Sequence, residues 1–184
     1  MAYYHLGELV HQQALRLKQR TALKYQTPEG EWIDLSWKTF SDLTMKAARA
    51  MADMGMEPND NVGIYSQNME KYLITDFAAY ANKAVMVPMY ATSSPSQVSY
   101  IVHDAQIKVI FIGEQFQYNN AWKVQQESPV LEKLIIFDRS VVLKSDDKTS
   151  VYFDDFITMG DNSESVALVN ARLKQLRELS LIHI

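Results

Sequence analysis

The sequence predicts an α/β fold: an open, mostly parallel sheet with helices on both faces, and a small hairpin near the N-terminus. Apolar runs of strand length recur at Val62-Gly-Ile-Tyr65, Ala84-Val-Met-Val-Pro-Met-Tyr90, Ile107-Lys-Val-Ile-Phe-Ile112 and Leu131-Glu-Lys-Leu-Ile-Ile-Phe-Asp138. Helix-length segments separate them, and β-α-β connections of this kind demand parallel, right-handed pairing. Earlier in the chain, Thr21–Gln26 and Glu31–Leu35 surround Thr-Pro-Glu-Gly, a turn signal that makes these two segments an antiparallel hairpin.

The elements follow in order. Leu6, Leu9, Val10, Ala14 and Leu17 keep the three-to-four spacing of an amphipathic first helix. Ser36 is placed to cap a long second helix whose stripe is Trp37, Phe40, Leu43, Ala47, Met51 and Met54. Gly55 and Pro58 stop it. Asn68 is the expected cap of a largely buried helix reaching about Ala81, after which Asn82-Lys83 make the turn into the next strand. Ser94-Pro-Ser-Gln97 is a capping box with proline at the first helical position. Val98, Ile101, Val102 and Ala105 form the stripe behind it. Glu114–Gln126 is expected to be a helix anchored by Phe116 and Val124, Val151–Phe156 a short strand, and Asp161–Glu178 a polar, exposed helix.

At 184 residues the chain can bury a substantial core. A net charge of -4 argues against nucleic acid as a partner, since no Lys/Arg cluster offers the counterion-releasing face that phosphate backbones need. The absence of cysteine removes disulfides, thiolate nucleophiles and Cys-based zinc sites, and fits a reducing cytoplasm. The most apolar region, Met69 to Tyr90, is interrupted by Glu70, Lys71, Asp76, Asn82 and Lys83, so no transmembrane segment is expected.

Ligands of open parallel sheets bind at the carboxyl ends of the strands. The corresponding segments are Ser66-Gln-Asn68, Tyr90-Ala-Thr-Ser-Ser94 and Gly113-Glu114, of which the second is hydroxyl-rich and adjoins a helix N-terminus. Ser94 and Asn68 equally read as simple caps. The six glycines form neither G-x-G-x-x-G nor G-x-x-x-x-G-K-[ST], no G-x-S-x-G elbow exists, and His5, His11, His103 and His183 lack metal-ligand spacing. The pairs Asp146-Asp147 and Asp154-Asp155 read as solvated loop charges, the methionines Met51 and Met54 as core, and Trp32, Trp37 and Trp122 as rings that can bury.

The runs Asn59-Asp-Asn-Val-Gly-Ile-Tyr-Ser-Gln-Asn68 and Val87-Pro-Met-Tyr-Ala-Thr-Ser-Ser-Pro-Ser-Gln-Val-Ser-Tyr-Ile101 resemble the N-terminal region of the AMP-forming acyl-CoA synthetases. Ala22-Leu-Lys-Tyr25, Trp32 and Ser36-Trp-Lys-Thr-Phe40 fall where that family has its first hairpin and helix, and the character is most similar to the long-chain fatty acid:CoA ligases. The resemblance implies ATP-dependent acyl adenylation followed by thioester formation, with ATP, Mg2+ and CoA serving the intact enzyme and none binding tightly to this chain. It implies fatty acid and CoA as substrates and a role in lipid metabolism. It also implies a cytoplasmic location with peripheral membrane contact, and no nucleic-acid partner.

By the same resemblance Tyr90, Ala91, Thr92 and Ser93 face the CoA and acyl side of the cleft. No catalytic residue and no metal ligand is carried over, because the phosphate loop and the catalytic lysine match no position here. Residues 1–178 are then a partial N-terminal domain of an AMP-dependent ligase, inactive alone. Residues 179–184, which equal one reading frame of a transposon-end sequencing adapter, are expected to be a non-native tail. The alternatives are another adenylate-forming ligase acting on aryl or short-chain acids, or a non-catalytic flavodoxin-like nucleotide-binding or interaction module.

Overall fold

The computed structural model describes residues 5–27, 29–161 and 163–182. Two compact units emerge: a helical one, Met1–Pro58 with Met69–Lys83 and Ile157–Ile184, and a sheet-bearing one, Asn59–Asn68 with Ala84–Phe156.

In the helical unit, α1 (Leu6–Leu17) is followed by the antiparallel strands β1 (Thr21–Gln26) and β2 (Trp32–Ser36), and then by α2 (Trp37–Asp53). The hairpin turn closes on Gly30, whose φ of +89° suits glycine. Trp32 does not bury its ring: it is 67% exposed, on the side of the two-stranded ribbon that Asp34 also faces. Leu6 likewise turns outward, and the buried positions of α1 are Gly7, Glu8 and Val10. Ser36 caps α2 as its position predicts, its Oγ accepting from Thr39 N–H at 3.1 Å. Gly55, at φ +83°, ends the helix in a Schellman turn, with Met56 N–H reaching Met51 C=O at 3.1 Å and Gly55 N–H reaching Ala52 C=O at 3.0 Å.

α3 (Glu70–Ala81) lies in the same unit, and Phe40 of α2 meets Phe77 edge-on at 5.8 Å. Met69, not Asn68, is its N-cap, and its side chain makes no capping bond. The chain stays extended through Met69, so Asn68 stands one residue too early to reach the first free amides, and Glu70 supplies the negative charge favoured there. At the other end Lys83 takes the left-handed conformation, φ +62°, and Asn82 remains helical and wholly buried. Its amide group donates to Ala48 C=O at 2.8 Å and to Ala78 C=O at 3.2 Å, which is why a polar residue suits that turn.

The polar helix expected over Asp161–Glu178 starts later, at Val166, and an unexpected helix precedes it. α6 (Phe153–Asp161) begins directly after a two-residue strand, and α7 (Val166–Ile182) continues past Glu178; positions 183–184 lie outside the described residues. α7 is not simply exposed, since Val169, Arg172 and Leu176 are buried along one stripe.

The other unit holds β3 (Asn61–Tyr65), β4 (Val85–Met89), α4 (Pro95–Asp104), β5 (Val109–Ile112), α5 (Gln115–Glu127), β6 (Lys133–Ile136) and β7 (Val151–Tyr152). All five strands are parallel, in the order β4-β3-β5-β6-β7. Ile110, Ile112 and Leu134 pack on one face with Val98 and Val102 of α4 and Val124 of α5. On the other face Phe111 and Phe137 meet Phe156 and Phe153 from the start of α6 at centroid distances of 5.4 and 5.3 Å. Those phenylalanines are helical, so the strand expected over Val151–Phe156 keeps only Val151 and Tyr152. Phe116 is 53% exposed and anchors nothing; Val124 holds α5 as expected.

Past β6 the chain is pinned by Asp147, which accepts from Tyr118 OH at 2.7 Å and from Thr149 and Ser150 N–H, both at 3.0 Å. Burial pushes the Asp147 carboxyl up, but these hydrogen bonds outweigh it and hold the group below the ordinary carboxylate range. A depressed folded-state pKa gives stability that is present above the unfolded value of about 3.9 and lost as pH falls through the folded one. Asp147→Asn is therefore expected to lower the urea midpoint at pH 7 and to flatten its decline below about pH 4. Urea titrations from pH 7 down to pH 2.5 check this, and parallel acid limbs in the two proteins contradict it.

Candidate functional site

The strand order reverses beside β3: the chain runs from β3 to β4 on one side and then to β5 on the other. In doubly wound sheets a crevice opens at such a reversal, outside the carboxyl ends of the strands. Here those ends carry Ser66–Asn68 after β3, Gly113 and Glu114 after β5, and Tyr90–Ser94 after β4.

The first two segments touch. Gly113 N–H donates to Tyr65 C=O at 3.1 Å, and Gln67 Nε2 reaches Glu114 Oε2 at 3.5 Å. A Cβ on Gly113 would stand 2.6 Å from Ser66 Oγ, so this approach requires glycine. The Tyr90–Ser93 loop is held from beneath. Tyr65 OH donates to Ser93 C=O at 2.5 Å, Asn120 Nδ2 donates to Tyr65 OH at 3.0 Å and to Ser93 C=O at 3.4 Å, and Gln117 Nε2 donates to Ala91 C=O at 2.9 Å. Gln117 also accepts from Glu114 N–H at 3.0 Å, so one side chain ties the start of α5 to the loop. Burial raises the Tyr65 pKa against the opposing bond from Asn120, which keeps the phenol protonated and donating.

The carbonyls of Ala91 and Ser93 thus face inward and are satisfied. Ser93 is buried, Thr92 is exposed, and Tyr90 is 85% exposed. Behind it Ser94 and Gln97 form the capping box of α4, with Ser94 Oγ accepting at 3.3 Å and Gln97 Oε1 accepting from Ser94 N–H at 2.8 Å. This arrangement presents a rigid, uncharged contact surface of an aromatic ring and a hydroxyl. Tyr65→Phe, which strips the donor from Ser93 C=O and the acceptor from Asn120, is expected to cost about 1–2 kcal/mol. It should also speed amide exchange at Ala91–Ser93; unchanged exchange there would show that the phenol does not hold the loop.

The profile of the AMP-binding enzyme family matches residues 10–170. The chain belongs to that family. Within it, similar proteins include the long-chain-fatty-acid--CoA ligase ACSBG1 of Bos taurus, 24% identical over 141 residues, which are 76% of this chain and 19% of that one. The long-chain-fatty-acid--CoA ligase FadD15 of Mycobacterium tuberculosis is 34% identical over 83 residues, 45% of this chain and 14% of that one. The matched stretches span less than a quarter of the length of these relatives. The crystal structure of the anthranilate CoA ligase AuaEII in complex with anthranoyl-AMP superposes with a TM-score of 0.72 at 17% identity, over 85% of this chain and 28% of that one. That likeness establishes the fold.

Several of the remaining polar candidates of this AMP-binding family member have structural partners. Asp155 pairs with Arg139 at 2.6 Å, Asp147 is the loop pin, and His5 Nδ1 caps α1 by accepting from Gly7 N–H at 3.1 Å. Among the described residues no three His, Cys, Asp or Glu side chains gather as a metal site. Among the same residues no helix is long and apolar enough to cross a membrane. Tyr65, Gln117 and Asn120 are the site residues that pattern reading missed. Gln117 and Asn120 occupy the positions of α5 that lead into its buried stripe at Ala121 and Val124, and amides at such positions are the available signal.

Proposed function

We propose that the chain is part of an AMP-forming long-chain fatty acid:CoA ligase, a cytoplasmic enzyme with peripheral contact at membranes. In that reaction a carboxylate oxygen attacks the α-phosphorus of ATP and expels pyrophosphate. The CoA thiolate then attacks the acyl carbon and expels AMP, leaving the thioester. Charge developing on phosphoryl oxygens has to be stabilised, and no group of this chain stands out for that task. Its contribution is the Tyr90–Ser93 surface, with Tyr90 and Thr92 turned toward the CoA and acyl side and the loop held by Tyr65, Gln117 and Asn120. The match over residues 10–170 carries the reading, supported by relatives named as long-chain ligases.

Thioester formation by the product of the complete gene, assayed with fatty, short-chain and aryl acids, tests it. Palmitate is expected to be preferred, with Tyr90→Ala raising KM for CoA or palmitate about tenfold, the equivalent of one lost aromatic contact. The 184-residue chain alone is expected to release no pyrophosphate from ATP, Mg2+ and palmitate. Preference for an aryl acid would move the assignment to another adenylate-forming ligase.

A further inference from the structure

The helical unit contains a cleft of about 360 Å3 that the ligase reading does not use. Its walls include His11 of α1, Asp42, Met45, Lys46 and Arg49 of α2, and Asn170 and Leu173 of α7. Positions 45, 46 and 49 are three and four residues apart, which puts them on one face of α2. Two charges of this wall are already matched. Asp42 sits 2.5 Å from Lys38, and Lys46 lies 2.8 Å from Asp161.

Arg49 is different. Among the described residues its guanidinium enters no ion pair or hydrogen bond, and its Nε is removed from water with no acceptor. The contrast with Arg172 in the same unit is direct, because that guanidinium donates to Met56 C=O, Asn82 Oδ1 and Glu57 Oε2. A buried Nε without an acceptor is costly, and the planar fork of the half-buried Arg49 fits carboxylate and phosphate oxygens in pairs.

We propose that this cleft binds a small organic oxyanion, a carboxylate or phosphate ester. The anionic group meets Arg49, with Lys46 one turn away, and the apolar part rests on Met45 and Leu173. His11 and Asn170 supply polar contacts at the wall.

Calorimetric and NMR titrations of the 184-residue chain with inorganic phosphate, acetate and hexanoate test this site, with no reference to ligase turnover. Saturable binding is expected, hexanoate tighter than acetate, and Arg49→Met should weaken it about tenfold or more, as loss of a charge-assisted hydrogen bond implies. The same variant should be at least as stable as the parent, since it removes an unmatched donor and breaks no bond. Leu173→Glu keeps Arg49 and adds a repelling charge, and is expected to weaken binding similarly. Absence of saturable binding for all three anions, or affinities unchanged by both substitutions, would overturn the proposal.

Discussion

Arg172→Leu is expected to destabilise the helical unit by about 3–5 kcal/mol, enough to unfold many domains outright. The side chain is 4% exposed and bonds Met56 C=O and Asn82 Oδ1 at 2.8 Å each and Glu57 Oε2 at 3.0 Å. Its acceptors come from the turn after α2 and the turn after α3, so a single guanidinium on α7 joins three segments distant in sequence. Leucine leaves the Asn82 oxygen and the Met56 carbonyl buried without donors, and each such group costs about 1–3 kcal/mol. Glu57 contributes little of this, because its side chain is 71% exposed and water replaces its partner. Glu57→Gln should therefore shift the urea midpoint by less than a quarter of the Arg172→Leu effect. Equal shifts would mean that the ion pair, not the pair of neutral acceptors, carries the energy. Arg172→Lys should recover only a small part, since one ammonium cannot span the three acceptors.

Gly160→Ala is expected to cost about 3 kcal/mol, at the upper end for overpacking. A Cβ at Gly160 would lie 1.9 Å from the carbonyl oxygen of Lys46 and 2.6 Å from its carbonyl carbon. Both atoms are backbone of α2, so no rotamer change relieves the clash and the two helices have to separate. The Lys46–Asp161 ion pair, adjacent to this contact, should lengthen with them. Urea unfolding of the alanine variant checks the energy. A change below about 0.5 kcal/mol, the size of an ordinary surface substitution, would show that α6 is free to shift.

Much of this architecture was legible in the residues because its causes are local. The strands are short apolar runs bounded by turns, and the cap at Ser94 is written in the four residues Ser94 to Gln97. The long-range causes left no such trace. α7 reads as polar because a charged residue, Arg172, occupies its inner stripe between Val169 and Leu176, and arginine is a surface residue until its acceptors are known. Those acceptors lie 116, 90 and 115 residues away in the chain. The candidate site divides the same way. Tyr90–Ser93 stands out as a polar loop at a strand end, whereas its anchors grip main-chain carbonyls, which every residue possesses and no motif records. Asn68 was misleading because a capping side chain one residue out of register looks the same in a sequence as one in place.

The two borders of the parallel sheet bear on how this protein behaves when crowded with copies of itself. β4 is one border and carries Pro88 as the fourth of its five residues; β7 is the other and is two residues long. Proline in a border strand turns its nitrogen side outward and offers an incoming strand no hydrogen there. Two residues are too few to template a ladder. Neither border is a good seed for strand-by-strand polymerisation, so where these molecules do clump, exposed apolar side chains such as Trp32 are the expected adhesive and cross-β growth is not.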